Sequence, residues 1–491
     1  MSASILRNYV AGEWRESKAS EALDVHNPAT DEVIARVPLS THEEVDEAVR
    51  AAQGAFDDWR ATPPSVRVQY LFRLKVLMED SFEDLARIIT REEGKTLDEA
   101  RGEVRRTIEN VEVAAGIPSL MMGYNLEDVA TGIDEELVRQ PLGVFAVIAP
   151  FNFPAMVPWW FAPTAIATGN TYIVKPSERV PCSQNRIFEL LEETDLPPGV
   201  LNLVNGGKEV VDCLLEHPGI VGISSVTSTP VAKHIYRKAT EHGKRAQCQA
   251  GAFNFLVVMP DADLDLTVPA LITSCFGCAG ERCLSGSVVM AVGDIYEPLK
   301  RRFVEAAAAL KVGDPSDESV QMGPVISKQA KERMLDYIER GLAEGAELIL
   351  DGRSVKVHGS EEGYFIGPTI FDGVRPGMAI AREEIFGPVR CIMQADSLDQ
   401  AIGIIHDVPF GNAASIFTAS GAAAREFKYR VMCGNIGINI GVPAPVAYFP
   451  FGGRKESFYG DLHGQGLDAI DFFTEKKIVI SRWGQGSEVR G

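Results

Sequence analysis

From Leu142 onward the chain alternates short apolar, β-branched runs with stretches of about 15 residues at helical spacing. The runs are GVFAVIAP, NTYIVKP, VLNLVNG and GIVGISS. Strands separated by helical crossovers pair in parallel, so this rhythm restricts the fold to an α/β class with a parallel sheet. A second alternation begins after Gly251, with FLVVMP, a helix through DLTVPALITSCF, then SVVMAV and the basic helix EPLKRRFVEAAAAL. It predicts another α/β unit in a separate domain. The 491 residues agree, because one hydrophobic core serves roughly 100 to 200 residues.

Before Leu142, THEEVDEAVRAAQGAFDDW and VRVQYLFRLKVLMEDSFEDLARII carry apolar residues at helical spacing, with acidic residues in the first turns. They predict long amphipathic helices between Ser40 and Glu92. Gly434 to Gly466 is rich in Gly, Pro and aromatics, and FFTEKKIVISRW near the end alternates as an edge strand does.

A net charge of −20 argues against nucleic acid as a partner, since a phosphate backbone requires a basic face. The opening MSASILRNYVAGEWRES lacks a basic flank with an apolar core, and no apolar run approaches the ~18 residues of a membrane span. The expectation is a cytoplasmic protein. Its eight cysteines are then expected to be reduced, as core residues or as chemistry.

Three of them crowd into CFGCAGERCLSG, at Cys275, Cys278 and Cys283. One CxxC with no histidine between His242 and His358 does not make a zinc site, and no metal is expected. Cys275 and Cys278 lie late in an apolar helical run and read as small core residues. Cys283 has Arg282 beside it and glycines on both sides. A flanking cation favours the thiolate, although a buried structural cysteine is the default for such a pattern taken alone.

Three further stretches bear on Cys283. In IAPFNFPAMVPWW, Asn152 follows a strand and lies between aromatics. It either caps the helix starting near Pro154 or offers an amide N–H to a developing oxyanion. In NTYIVKPSERVP a strand delivers Lys175 at its carboxyl end, where open α/β sheets bind ligands, so Lys175 can donate to ribose hydroxyls. In REEIFGPV, Glu384 can accept from both hydroxyls of a ribose, and Phe386 can pack on the sugar or the nicotinamide.

Together with NPATDEVIARVP, PFGN at Pro409–Asn412 and PFGGRKES, these motifs resemble the aldehyde dehydrogenase superfamily nearly from end to end. The resemblance implies a Rossmann-like NAD-binding domain at residues 1–118 and 142–250 and a catalytic domain at 251–452. An oligomerisation arm and C-terminal segment would occupy 119–141 and 453–491, in a dimer or tetramer. It makes Cys283 the nucleophile, and Asn152 with the Cys283 backbone N–H the oxyanion hole. Lys175, Glu178 and Glu384 become ribose-binding residues, while Ala149, Phe151, Arg179, Ser228, Ala250 and Phe386 line the cofactor.

Two departures stand out. Where most hydrolytic members carry a general-base glutamate, this chain has Gln249, within QCQAGAFNF, and glutamine cannot take a proton from water. Glu281 is a candidate substitute. The missing glutamate, together with ARGEVRRTIENVEVAAGIPSL and the inserted YGDLHGQG, resembles the methylmalonate-semialdehyde dehydrogenase branch, which passes its acyl group to coenzyme A. There two arginines hold the substrate carboxylate, corresponding to Arg106 and Arg282, although Arg106 could equally be a solvated surface charge. The second departure is Thr227-Ser228-Thr229-Pro230-Val231-Ala232, where glycines usual near the pyrophosphate are replaced. The expectation is NAD-dependent oxidation of a carboxylate-bearing semialdehyde with coenzyme A as acyl acceptor. The alternatives are a hydrolytic aldehyde dehydrogenase and a non-catalytic binding protein on this fold.

Overall fold

The computed structural model describes residues 4–482. Residues 1–3 and 483–491 of the expected domains lie outside the described residues. The first of three main sheets has the spatial order Glu13–Arg15, Asn8–Val10, Leu201–Leu203, Thr171–Lys175, Val144–Ile148, Ile220–Val226, Arg245–Gln249, Phe458–Tyr459. Its central strands, from Leu201–Leu203 to Arg245–Gln249, are parallel. Antiparallel strands close both edges.

Phe145, Val147, Tyr172 and Val174 pack into a core on one face of this sheet, while Val144, Ala146, Ile148 and Ile173 pack into a core on the other. Successive side chains of a strand alternate between faces, so covering both faces leaves no polar side. That is why GVFAVI and TYIV are apolar without interruption.

The chain leaves Val144–Ile148 toward Leu201–Leu203, then returns to the opposite side through Ile220–Val226. The order reverses between these two strands, and the crevice outside their carboxyl ends is where such sheets bind ligands. The segments leaving those ends carry Ala149, Phe151 and Asn152 on one side and Ser228 on the other.

The second sheet orders Glu347–Leu350, Thr369–Asp372, Val389–Ala395, Gly286–Val292, Asn254–Val258, Ala413–Phe417 and Asn435–Ile438. It is parallel except at its first pair and has a core of its own. The third sheet is antiparallel, with Ile133–Pro141 between Tyr124–Ala130 and the C-terminal Thr474–Arg482. The alternating C-terminal run is an edge strand, as read. Phe458–Tyr459, within the segment expected at 453–491, pairs with Arg245–Gln249 in the first sheet.

The predicted helices form at His42–Ala61, Pro64–Asp80 and Phe82–Glu93. Leu97–Ala114 follows. Thr41 with Glu44 and Thr96 with Glu99 close reciprocal capping boxes, which satisfy otherwise unpaired N–H groups at those helix starts. No helix among the described residues is long and apolar enough to cross a membrane.

Candidate active site

Cys283 lies on the loop ahead of the strand Gly286–Val292, half-buried in the wall of a cavity of about 820 Å³. Its carbonyl oxygen accepts from Asn254 Nδ2 at 2.8 Å and Asn412 Nδ2 at 2.7 Å. Asn254 Nδ2 also donates to the Ser285 carbonyl at 2.8 Å. Beneath the loop, the buried Arg390 donates to the Cys275 carbonyl at 2.6 Å and to Ser285 Oγ at 2.8 Å. The cysteine is thus held through its backbone, which leaves the thiol free to react. Asn412 closes the PFGN motif, but the clamp it forms with Asn254 was not read from the sequence.

Cys275 and Cys278 are buried, in agreement with their reading as packing residues. Cys278, however, sits past the helix in a left-handed turn at φ 50°.

The flanking arginine lowers the Cys283 thiol as expected, but only as the smallest of the influences on it. Arg282 Nε donates to Cys278 Sγ at 3.1 Å and Nη2 to Glu99 Oε1 at 3.2 Å, so its charge is spent away from the nucleophile. Burial pushes the Cys283 thiol up to about 12, Glu384 adds to the rise, and Arg282 offsets little of it.

Asn152 is buried at the same cavity. It does not cap the following helix, Met156–Ala167. Its Nδ2 donates to the Glu281 carbonyl at 3.0 Å, tying the Asn152 loop to the cysteine loop. Arg106 and Arg282 line this cavity as well. Arg106 Nη1 donates to Glu109 Oε2 at 2.7 Å, so both arginines already hold a carboxylate. Asn110 Nδ2 donates to the Arg106 carbonyl at 2.7 Å and Gln465 Nε2 to Asn110 Oδ1 at 2.8 Å, which brings the inserted YGDLHGQG segment to the cavity wall.

Lys175 ends its strand almost fully buried, with Nζ 2.9 Å from Glu178 Oε2. Burial pushes the Glu178 carboxyl up, but the Lys175 ammonium more than offsets this and holds it below its usual range. Arg179 is exposed and donates to Ser327 Oγ at 2.8 Å. Glu384 Oε1 accepts from the Ala252 N–H at 2.8 Å, and burial pushes this carboxyl up to about 7. A Cβ at Gly251 would meet Glu384 Oε2 at 2.6 Å and Thr229 Oγ1 at 2.7 Å, so a larger residue there would push on the Glu384 carboxylate. Phe386 has a left-handed φ of 56° and sets its ring edge-on to Phe151 at 5.8 Å, joining two cofactor-lining positions inferred separately.

Ala149 and Ala250 are buried beside this crevice, with the Ala149 N–H donating to the Lys175 carbonyl and the Ala250 N–H to that of Ser457. Ser228 precedes the helix Thr229–Glu241 without capping it through its side chain. Ala232, in place of a glycine, packs its methyl into the core, so that departure strains nothing.

Gln249 donates through Nε2 to the Phe451 carbonyl at 2.7 Å and is not among the cavity-lining residues. A glutamate there would face that carbonyl oxygen with a carboxylate. Glu281 accepts from the Ile326 N–H through Oε2 and does not line the cavity. Burial and the neighbouring Glu93 push its carboxyl well above the usual range. Neither residue presents a base to water at Cys283.

Residues 14–479 match the model of the aldehyde dehydrogenase family. Malonate-semialdehyde dehydrogenase 2 of Geobacillus kaustophilus is 51% identical over 97% of this chain and 99% of its own. A methylmalonate-semialdehyde dehydrogenase structure from Oceanimonas doudoroffii superposes with a TM-score of 0.96 at 44% identity, covering 98% of this chain and 99% of that one. A protein named as a candidate methylmalonate-semialdehyde dehydrogenase of Sinorhizobium meliloti 1021, complexed with NAD, superposes at 0.97 with 41% identity, covering 99% of this chain and 100% of that one. With fold, motifs and full-length similarity in agreement, the chain belongs to the aldehyde dehydrogenase family.

Proposed function

We propose that this protein oxidises a semialdehyde bearing a carboxylate, of the malonate or methylmalonate semialdehyde class, with NAD, and passes the acyl group to coenzyme A. The observation that carries this reading is one cavity holding Cys283, Asn152, Arg106 and Arg282 together, with an amide where a hydrolytic base would stand. The relatives' names, malonate-semialdehyde and methylmalonate-semialdehyde dehydrogenase, support the same substrate class.

The cofactor crevice fits a nucleotide. Lys175 Nζ carries three N–H groups, and Glu178 is its one bonded partner among the described residues. Glu384 offers the second carboxylate for ribose hydroxyls. NAD, when bound, supplies the hydride acceptor and a positive charge near the thiol. Cys283, as the thiolate left when its proton passes to solvent, forms the C–S bond to the aldehyde carbon, and the free N–H of Asn152 together with the Cys283 backbone N–H receives the oxyanion. Loss of the hydride leaves a thioester. The β-carboxylate can then leave as carbon dioxide, because the electron pair enters a delocalised enolate, and protonation of that carbon gives the acyl group. The thiol of coenzyme A attacks the carbonyl and Cys283 departs as thiolate. Balanced for malonate semialdehyde, the substrate, NAD and coenzyme A become acetyl-CoA, carbon dioxide and NADH.

Arg106 tests the carboxylate clamp. Arg106→Leu is expected to lower kcat/KM for malonate semialdehyde about tenfold or more, the loss of a charged hydrogen bond, while leaving propanal within about twofold. Equal losses for the two substrates would remove Arg106 from the clamp.

A further inference from the structure

Glu93, Lys95 and Glu103 form a charged cluster with essentially no side-chain exposure, and the chemistry above does not use it. Lys95 Nζ donates to Glu103 Oε2 at 2.6 Å and to the Asn152 carbonyl oxygen at 2.7 Å. It also sits 4.0 Å over the ring of Phe153. The other oxygen, Glu103 Oε1, accepts from the N–H groups of Ala155 and Met156, at 2.8 and 3.0 Å. One ion pair therefore grips the segment carrying Asn152 on both sides of Pro154. It also supplies the helix Met156–Ala167 with the cap its own sequence lacks.

Burying the Lys95–Glu103 pair is costly unless each charge is paired and hydrogen-bonded, whereas burial pushes the Glu93 carboxyl up to about 8. Here each bond of the Lys95–Glu103 pair serves the position of one amide. Asn152 is held by its backbone oxygen from Lys95, and by its side chain from the Glu281 carbonyl on the cysteine loop. Its oxyanion-binding N–H is thereby fixed relative to Cys283 before substrate arrives, which is the condition for a preorganised donor to stabilise a transition state.

We propose that Lys95 and Glu103 are positioning residues for the oxyanion hole, acting on hydride transfer through Asn152; this rests on the role given to Asn152 above. In Glu103→Gln the amide oxygen still caps Ala155 and Met156, but the amide nitrogen faces the Lys95 ammonium, so the cap survives while the grip is lost.

The test is a double-mutant cycle on the pre-steady-state NADH burst with malonate semialdehyde, using wild type, Glu103→Gln, Asn152→Ala and the double variant, with KM for NAD and Tm recorded for each. Glu103→Gln is expected to slow the burst about tenfold or more in the wild-type background and less than about twofold in the Asn152→Ala background, with KM for NAD unchanged. Equal factors in both backgrounds, or a change confined to Tm, would overturn the proposal while leaving Asn152 in its role. An unchanged burst in Asn152→Ala would instead remove the oxyanion role itself. If Glu103→Gln does not fold, Glu103→Asp, which keeps the charge and shortens the reach, enters the same cycle. Lys95→Arg, which keeps the charge but changes its reach, is expected to leave Tm near the wild-type value while slowing the burst, and a burst at the wild-type rate would also count against the proposal.

Discussion

At Cys283 a thiol pushed to about 12 by burial sits at the centre of a site that requires a thiolate. Its sequence neighbour Arg282 is turned toward Cys278 and Glu99 and offsets little of that rise. A cationic cofactor ring bound beside Cys283 would favour the thiolate by Coulomb attraction, adding to the small effect of Arg282. Glu384 is the second residue with a displaced titration. Its carboxyl, buried and raised to about 7, is protonated below that pH and has one oxygen committed to the Ala252 N–H. Only the carboxylate accepts from both ribose hydroxyls, so the sign of the effect is that NAD binding tightens as pH rises. KM for NAD is expected to fall severalfold between about pH 6 and about pH 8, a span of one unit either side of that titration. In Glu384→Gln the profile is expected to be flat. A wild-type KM independent of pH across that range would exclude Glu384 from the ribose contact.

At the level of elements, the loop carrying Cys283 is shaped by what lies beneath it. Gly280 has φ 75°, and a Cβ there would collide with the Gly387 carbonyl and the Arg390 guanidinium. Gly280→Ala is expected to cost about 1–3 kcal/mol in denaturant unfolding from the forced contact, and to slow thioacylation as the loop shifts. An unaltered midpoint with full activity would show that the loop is not clamped as described. The strands and helices that carry the site were legible in the sequence, because apolar runs and capping boxes are local signals. Asn152, Lys175, Cys283 and Glu384 were legible as motif residues. Asn412 was legible only as the end of PFGN and Lys95 not at all, since what each does lies in a bond to a carbonyl, 129 and 57 residues away respectively, and no local pattern encodes such a partner. Arg282 was legible as a cation beside Cys283, but its bonds to Cys278 and Glu99 were not. Adjacency in sequence to Cys283 said nothing of where its side chain points.

On the scale of the whole molecule, three sheets divide the work. The first presents the carboxyl ends of its strands to the crevice at its switch point, the second brings the cysteine loop against them, and the third has an exposed edge. Tyr124, Leu126, Ile478 and Ile480 on that third sheet are each more than half exposed. Apolar side chains grouped on a sheet mark an interaction surface, and we propose that a second copy of the chain covers it. Leu126→Asp with Ile480→Asp is expected to shift the species seen by light scattering toward a smaller assembly. An unchanged mass would place the interface elsewhere. The proposal that a thiol and not water empties Cys283 rests on Gln249 holding the Phe451 carbonyl and on Glu281 standing outside the cavity. It is tested most directly by steady-state NADH formation from malonate semialdehyde with and without coenzyme A, with product analysis. The account requires turnover that depends on coenzyme A and yields acetyl-CoA. Sustained turnover that yields a free acid at the same rate whether or not coenzyme A is present would contradict it.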